Sequence, residues 1–199
     1  MNNFWMKNLA ISPKTITKNL VISIMFLVLA GCSVSSFLPM PGNYTIEEGF
    51  AILRTDSLQV VVRPQSYRGP NRDIGNKFFS MYVMVRNISN GKIRIPRESF
   101  SIVSDAKQYD YIPLDFVLGS QQQQLYLDQW QDPFNPDPLI TDELERNLDQ
   151  YYELMAAYFS FGDLQPGASK EGYLFYGREL NRARHMVFDA LGEPIQFIR

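Results

Sequence analysis

Few side chains in this 199-residue sequence are of a type and spacing that could do chemistry. It has one cysteine, Cys32, and one histidine, His185. A lone thiol excludes an internal disulfide and a cysteine-based zinc site. His185 stands beside Arg184 with no Cys or second His nearby. A histidine base needs an oriented nucleophile, and no motif supplies one, so His185 reads as a surface or strand-edge residue. The acids Asp128, Asp132, Asp137, Asp142, Glu143 and Glu145, with Asn135, offer the oxygen ligands that calcium takes. No Gly stands at a sharp-turn position there, and Pro133, Pro136 and Pro138 break EF-hand spacing. A solvated acidic loop leading into a helix is the expectation. No Gly-rich phosphate loop, no Gly-x-Ser-x-Gly and no metal-spaced His pair occurs. The residues therefore point away from an enzyme and call for no cofactor or metal.

Recognition is the chemistry left. Tyr126, Trp130 and Phe134 recur every four residues beside the glutamine run 121–124. Aromatics next to amides suit a sugar or protein surface, and they equally suit pinning a long insert onto its domain. They are the candidate partner surface. Arg63, Arg68 and Arg72 form a basic group in or near one loop, expected to be solvated.

The elements that would carry these residues are mostly strands. Residues 49–55 and 58–64 alternate or run β-branched, with Val60, Val61 and Val62 consecutive. Residues 77–88 are apolar on both faces, which predicts a central strand. Asn90-Gly91 then signals a hairpin, and residues 92–95 resume as a strand. Further strands are expected at residues 100–103, 109–114, 171–177, 184–189 and 195–198. Residues 67–76, with Gly, Pro and Asn, read as a loop, as do residues 162–167. From Asp115 the pattern breaks. Thr141 is a good N-cap with Asp142 and Glu143 in the first turn. Leu144, Leu148, Tyr151, Met155 and Tyr158 then form one apolar stripe. One helix over about 141–158 is expected to pack on the sheet. Short strands separated by turns, with one inserted helix, give a mainly β, immunoglobulin-like antiparallel sandwich.

Cys32 acquires a role from what precedes it. Lys7, Lys14 and Lys18 lead into an apolar run over residues 20–30, in which only Ser23 is polar. That is the layout of a secretory signal peptide, and the run falls short of the roughly 20 apolar residues a spanning helix needs. Leu29-Ala30-Gly31-Cys32 resembles the bacterial lipobox. The resemblance implies cleavage before Cys32, a diacylglyceryl thioether on its sulfur and acylation of the freed amine. One acyl chain anchors only marginally, and several anchor stably. Ser33 stands where an Asp commonly favours retention in the inner membrane, so the outer membrane is favoured.

Three further segments resemble the telokin-like, immunoglobulin-fold domains of secreted bacterial proteins and lipoproteins. They are Met81-Tyr82-Val83-Met84-Val85-Arg86-Asn87-Ile88-Ser89, Phe100-Ser101-Ile102-Val103-Ser104-Asp105, and residues 164–175, where Pro166-Gly167 turns into Gly172-Tyr173-Leu174-Phe175. The resemblance implies a fold type and no activity.

The expected organisation is a signal peptide over 1–31, a lipidated N-terminus with a flexible Ser/Pro-rich tether over 32–45, and one sandwich domain over 46–199 with an insert at about 115–162. Removing residues 1–31 takes away three lysines and no acid, which moves the net charge from −2 to −5. An acidic surface disfavours nucleic acid and anionic headgroups as partners. The expected function is a non-enzymatic binding or assembly module, held to the membrane through Cys32 and serving an envelope protein partner. The rival is a small-ligand or metal-binding carrier, or a hydrolase, built on the acidic loop 128–145.

Overall fold

The computed structural model describes residues 36–69, 72–119 and 149–199. Residues 36–199 form one compact unit. Strands come in the order β1 (Leu38–Pro39), β2 (Thr45–Glu47), β3 (Phe50–Arg54), β4 (Leu58–Pro64), β5 (Phe79–Asn87), β6 (Ile93–Ile95), β7 (Phe100–Ser104), β8 (Lys107–Asp110), β9 (Gly162–Leu164), β10 (Ser169–Tyr176), β11 (His185–Ala190) and β12 (Glu193–Ile198). One five-stranded sheet has the order β1-β12-β11-β7-β8, and the other β10-β5-β4-β3-β2. All of these strand pairs are antiparallel. A separate pair, β6-β9, joins them.

The two large sheets pack face to face as a β-sandwich. Strand periodicity sends every second side chain inward. Val60, Val62, Met81, Val83, Val85 and Leu174 from the second sheet meet Phe100, Ile102, Met186, Phe188, Ile195 and Phe197 from the first, all at most 2% exposed. Each such side chain contributes about 1.5–3 kcal/mol by leaving water. β5 is the central strand its two apolar faces predict, paired with β4 on one side and β10 on the other.

Tight turns set the register. β2–β3, β7–β8 and β11–β12 are joined by two residues each: Glu48-Gly49, Asp105-Ala106 and Leu191-Gly192, all with positive φ. Two positive φ values match the type I′ geometry whose twist suits a hairpin.

Several expectations are corrected. Asn90-Gly91 closes no hairpin: β6 pairs with β9 and not with β5. The reason is Asn87, which is fully buried. Its amide donates to the carbonyls of Gly91 at 2.7 Å and Leu164 at 3.0 Å, and its oxygen accepts from Ser89, so the chain is steered out of the sheet. Residues 162–167, expected as a loop, contain β9, and the strand expected over 109–114 lies earlier, as β8. The loop over 67–76 contains a short helix, α1 (Arg72–Lys77), whose Ile74 is buried.

The single expected helix is not alone either. Residues 114–119 (α2) and 149–157 (α3) are also helical; the part of the expected helix over 141–148 lies outside the described residues. On α3 the buried residue is Leu154, flanked by Tyr151, Ala157 and Tyr158, whereas Met155 is 45% exposed. The seam thus keeps Tyr151 and Tyr158 of the expected stripe and takes Leu154 in place of Met155. Finally, the segment expected as tether is folded from Phe37 onward. Phe37 is 4% exposed, meets Phe79 edge-on at 5.9 Å and lies under the Arg199 guanidinium at 4.4 Å. Leu38 pairs with Ile198, and the Met40 amide donates to Gln196.

Candidate functional site

The outer face of the β10-β5-β4-β3-β2 sheet is apolar, and the fold divides it in two. Over β10 and the start of β5 the helices cover it. Tyr67, Ile74, Phe78, Val117, Leu118, Leu154 and Phe175 form a second buried cluster there. The 158–159 segment closes the β10 edge, with the Phe159 amide donating to the Tyr173 carbonyl at 3.0 Å. Gly172 permits this approach, since a Cβ there would stand 2.6 Å from the Phe159 nitrogen.

Among the described residues the remainder of the face is uncovered and forms a shallow groove of about 920 Å³. Its floor is Phe50 and Ile52 on β3, Val61 on β4, Tyr82 and Met84 on β5, and Tyr173 on β10. Strand alternation puts all six on the outer face, because their neighbours Ala51, Val60, Val62, Met81, Val83 and Leu174 point into the core. Glu47, Glu48 and Gln65 form the rim. Tyr173 joins the groove to the covered half: it meets Tyr67 at 5.4 Å and Tyr82 at 5.8 Å, and its hydroxyl accepts from the Gln65 amide at 2.9 Å. Tyr82 meets Phe50 edge-on at 6.1 Å, and the Arg63 guanidinium lies 5.0 Å over the Phe50 ring.

Burial and nearby carboxylates favour the neutral phenols of Tyr82 and Tyr67. Tyr82 donates its hydroxyl to Glu171 at 2.6 Å. Burial first, then that hydrogen bond and the carboxylate's charge, push its phenol up to about 12. Burial also raises Tyr67, with Glu153 adding to the effect. A half-buried aromatic floor with a polar rim suits apolar and hydrogen-bonding contact with a partner.

A second cleft, of about 720 Å³, opens where β6 and β9 meet the helices. Arg94, Arg97, Glu98 and Asp115 line it beside Tyr111, Tyr158 and Phe161. Tyr158 donates to the Ile112 carbonyl at 3.0 Å, and burial holds its phenol far above its ordinary value. Among the described residues no group of three or more His, Cys, Asp or Glu could hold a metal ion, and no helix is long and apolar enough to cross a membrane.

His185 is exposed at the start of β11, and its backbone carbonyl accepts from Ser104 at 2.8 Å. Arg63 is committed to the Phe50 ring, and Arg68 is exposed. Cys32, Tyr126, Trp130 and Phe134 and the acidic loop 128–145 lie outside the described residues. Sequence reasoning missed the groove. Its six floor residues span 50 to 173, and the available signal was the alternation in residues 77–88, where Tyr82 and Met84 are apolar on the face away from Val83. The chain matches no known family model, no curated protein and no solved structure in these comparisons.

Proposed function

We propose that this chain is a bacterial envelope lipoprotein, exported by residues 1–31 and lipid-anchored at Cys32 with the outer membrane favoured, whose immunoglobulin-like sandwich acts as a non-enzymatic binding or assembly module. The groove floored by Phe50, Ile52, Val61, Tyr82, Met84 and Tyr173 is its contact surface for an envelope protein, with Tyr126, Trp130 and Phe134 on the insert as a second candidate. The observation that carries the reading is the openness of this aromatic sheet face: a sandwich needs one apolar face per sheet for its core, and this sheet has two. Large apolar patches on a folded surface mark interaction sites.

The test has two arms. Cys32→Ala should lose its lipid label and leave the membrane fraction; a variant that keeps both overturns the anchor. Met84→Asp places a charge on the groove floor without touching the inward core, and should lose any protein that wild type and Cys32→Ala both retain in a pull-down. Equal recovery by Met84→Asp removes the groove from the account.

A further inference from the structure

Phe37, five positions after Cys32, is already buried in the domain, and this bears on how the domain lies. Resting on the lipid anchor proposed above, we infer that the sandwich lies directly on the bilayer, with the end that carries β1, the close of β12 and the start of β11 against the headgroups.

Three observations converge on this end. The first is length. Phe37 is already buried in the core, so five residue steps separate it from Cys32, at most about 18 Å of extended chain. A domain of this size has a radius of gyration of about 15 Å. The leash is therefore shorter than the full depth of the domain, which is at least about twice that radius, and it keeps the Phe37 end within about 18 Å of the membrane surface.

The second is exposed apolar surface at that same end. Leu38 is 56% exposed and Ile198 47% exposed, and the two are direct cross-strand partners on the outer face of their sheet. Paired apolar side chains at the foot of a short leash suit insertion between headgroups.

The third is charge. The short 3₁₀ turn Arg178–Arg182 leads into β11 at this end, and brings Arg182 and Arg184 beside His185, the partner of Ile198. Arg199 is held there too, its amide bonded to the Arg184 carbonyl and its guanidinium lying over Phe37. Arg182 and Arg184 are exposed, and neither is in an ion pair with a described residue. Asp105 and Glu179 are the acids beside β11, and Glu47 and Glu48 stand at the β2–β3 turn, the end of the other sheet opposite the Asp56 turn. The edge formed by β11 and the 3₁₀ turn before it is therefore locally basic within a net acidic chain, and basic residues are attracted to an anionic surface within a Debye length. The partner of this surface is the phospholipid headgroup layer itself.

The test uses the lipoprotein extracted from membranes and reconstituted into vesicles, either of phosphatidylcholine alone or of phosphatidylcholine with phosphatidylglycerol. A thiol-reactive dye is placed at Leu38→Cys or, at the far end of the sandwich in the β3–β4 turn, at Asp56→Cys. Nitroxide-bearing lipid then quenches whichever dye touches the bilayer. The dye at 38 should be quenched severalfold more than the dye at 56. Arg182→Glu with Arg184→Glu should reduce that quenching in the phosphatidylglycerol vesicles and much less in phosphatidylcholine alone. Equal quenching at 38 and 56 on a chain whose Cys32 peptide carries lipid by mass overturns the orientation and leaves the anchor standing. A Cys32 peptide without lipid overturns both.

Discussion

The side-chain amide of Asn87 donates to the backbone carbonyl of Leu164 at 3.0 Å, joining the end of β5 to β9 across 77 residues of sequence. A second donor hydrogen on the same group holds Gly91 at 2.7 Å. Asn87 thereby redirects the chain from one sheet to the β6-β9 pair. Asn87→Ala strands the buried Leu164 carbonyl at a cost of about 1–3 kcal/mol, while the exposed Gly91 carbonyl keeps the Ser89 hydroxyl at 3.0 Å. Asn87→Asp removes both donors and adds a buried charge facing two carbonyl oxygens. Urea denaturation should show a lower midpoint for Ala and a lower one still for Asp. A midpoint unchanged in Asn87→Ala would contradict the role given to this residue.

The β7–β8 turn holds Ala106 at φ 60°, a conformation that glycine adopts without cost. An alanine in the left-handed region costs about 1–2 kcal/mol. Ala106→Gly should therefore stabilise the fold by about 1 kcal/mol, offset in part by the greater freedom of glycine in the unfolded chain. Thermal melts of the two proteins decide it, and a lower melting temperature for the glycine variant counts against the turn geometry.

Leu154 is fully buried in the second cluster, beneath α3 and against the covered half of the sheet. Leu154→Ala should destabilise by about 2–5 kcal/mol. Its local signature is more specific. Hydrogen exchange should quicken first in α2 and α3 and at Phe159, whose amide is bonded to β10, while β11 and β12 keep most of their protection. Uniform loss across both sheets would mean that the two clusters unfold as one.

Tyr82 gives a pH dependence whose sign is fixed. Its folded pKa is raised from 10.0 to about 12. A raised value means that the neutral phenol is favoured in the folded state, so the stabilisation is complete below pH 10 and is lost as pH rises through about 12. Glu171→Gln removes the carboxylate's charge, which with its hydrogen bond adds to the effect of burial. The Tyr82 ring titration followed by NMR should then move down towards 10 without reaching it, because burial remains. A titration unmoved by Glu171→Gln would deny the Tyr82–Glu171 contact.

What the sequence disclosed follows the range of the forces involved. β5 is legible because its alternation is local and both faces are apolar, and β10 because Pro166-Gly167 turns into an alternating run. The hairpin at Asn90-Gly91 misleads because a turn signal is local, whereas Asn87 is bonded to Leu164. α1 is hidden by the Gly and Asn around Ile74. β1 is hidden by Pro39 and Pro41, and its place depends on pairing with β12 at the far end of the chain. The groove needs the register of four strands, which no window of sequence contains. The second cluster follows from how the described helices dock, which the position of Leu154 alone does not reveal.

The proposed role is binding of a protein partner through the uncovered half of the second sheet. Site-specific photo-crosslinking in intact cells tests it most directly, with the reactive group at Met84 in the groove or at Gln108, exposed on the outer face of the opposite sheet. The account predicts a discrete protein adduct from position 84 that is absent from position 108 and is lost when Tyr82→Asp is added. No adduct at 84, or the same adduct from both positions, would contradict it.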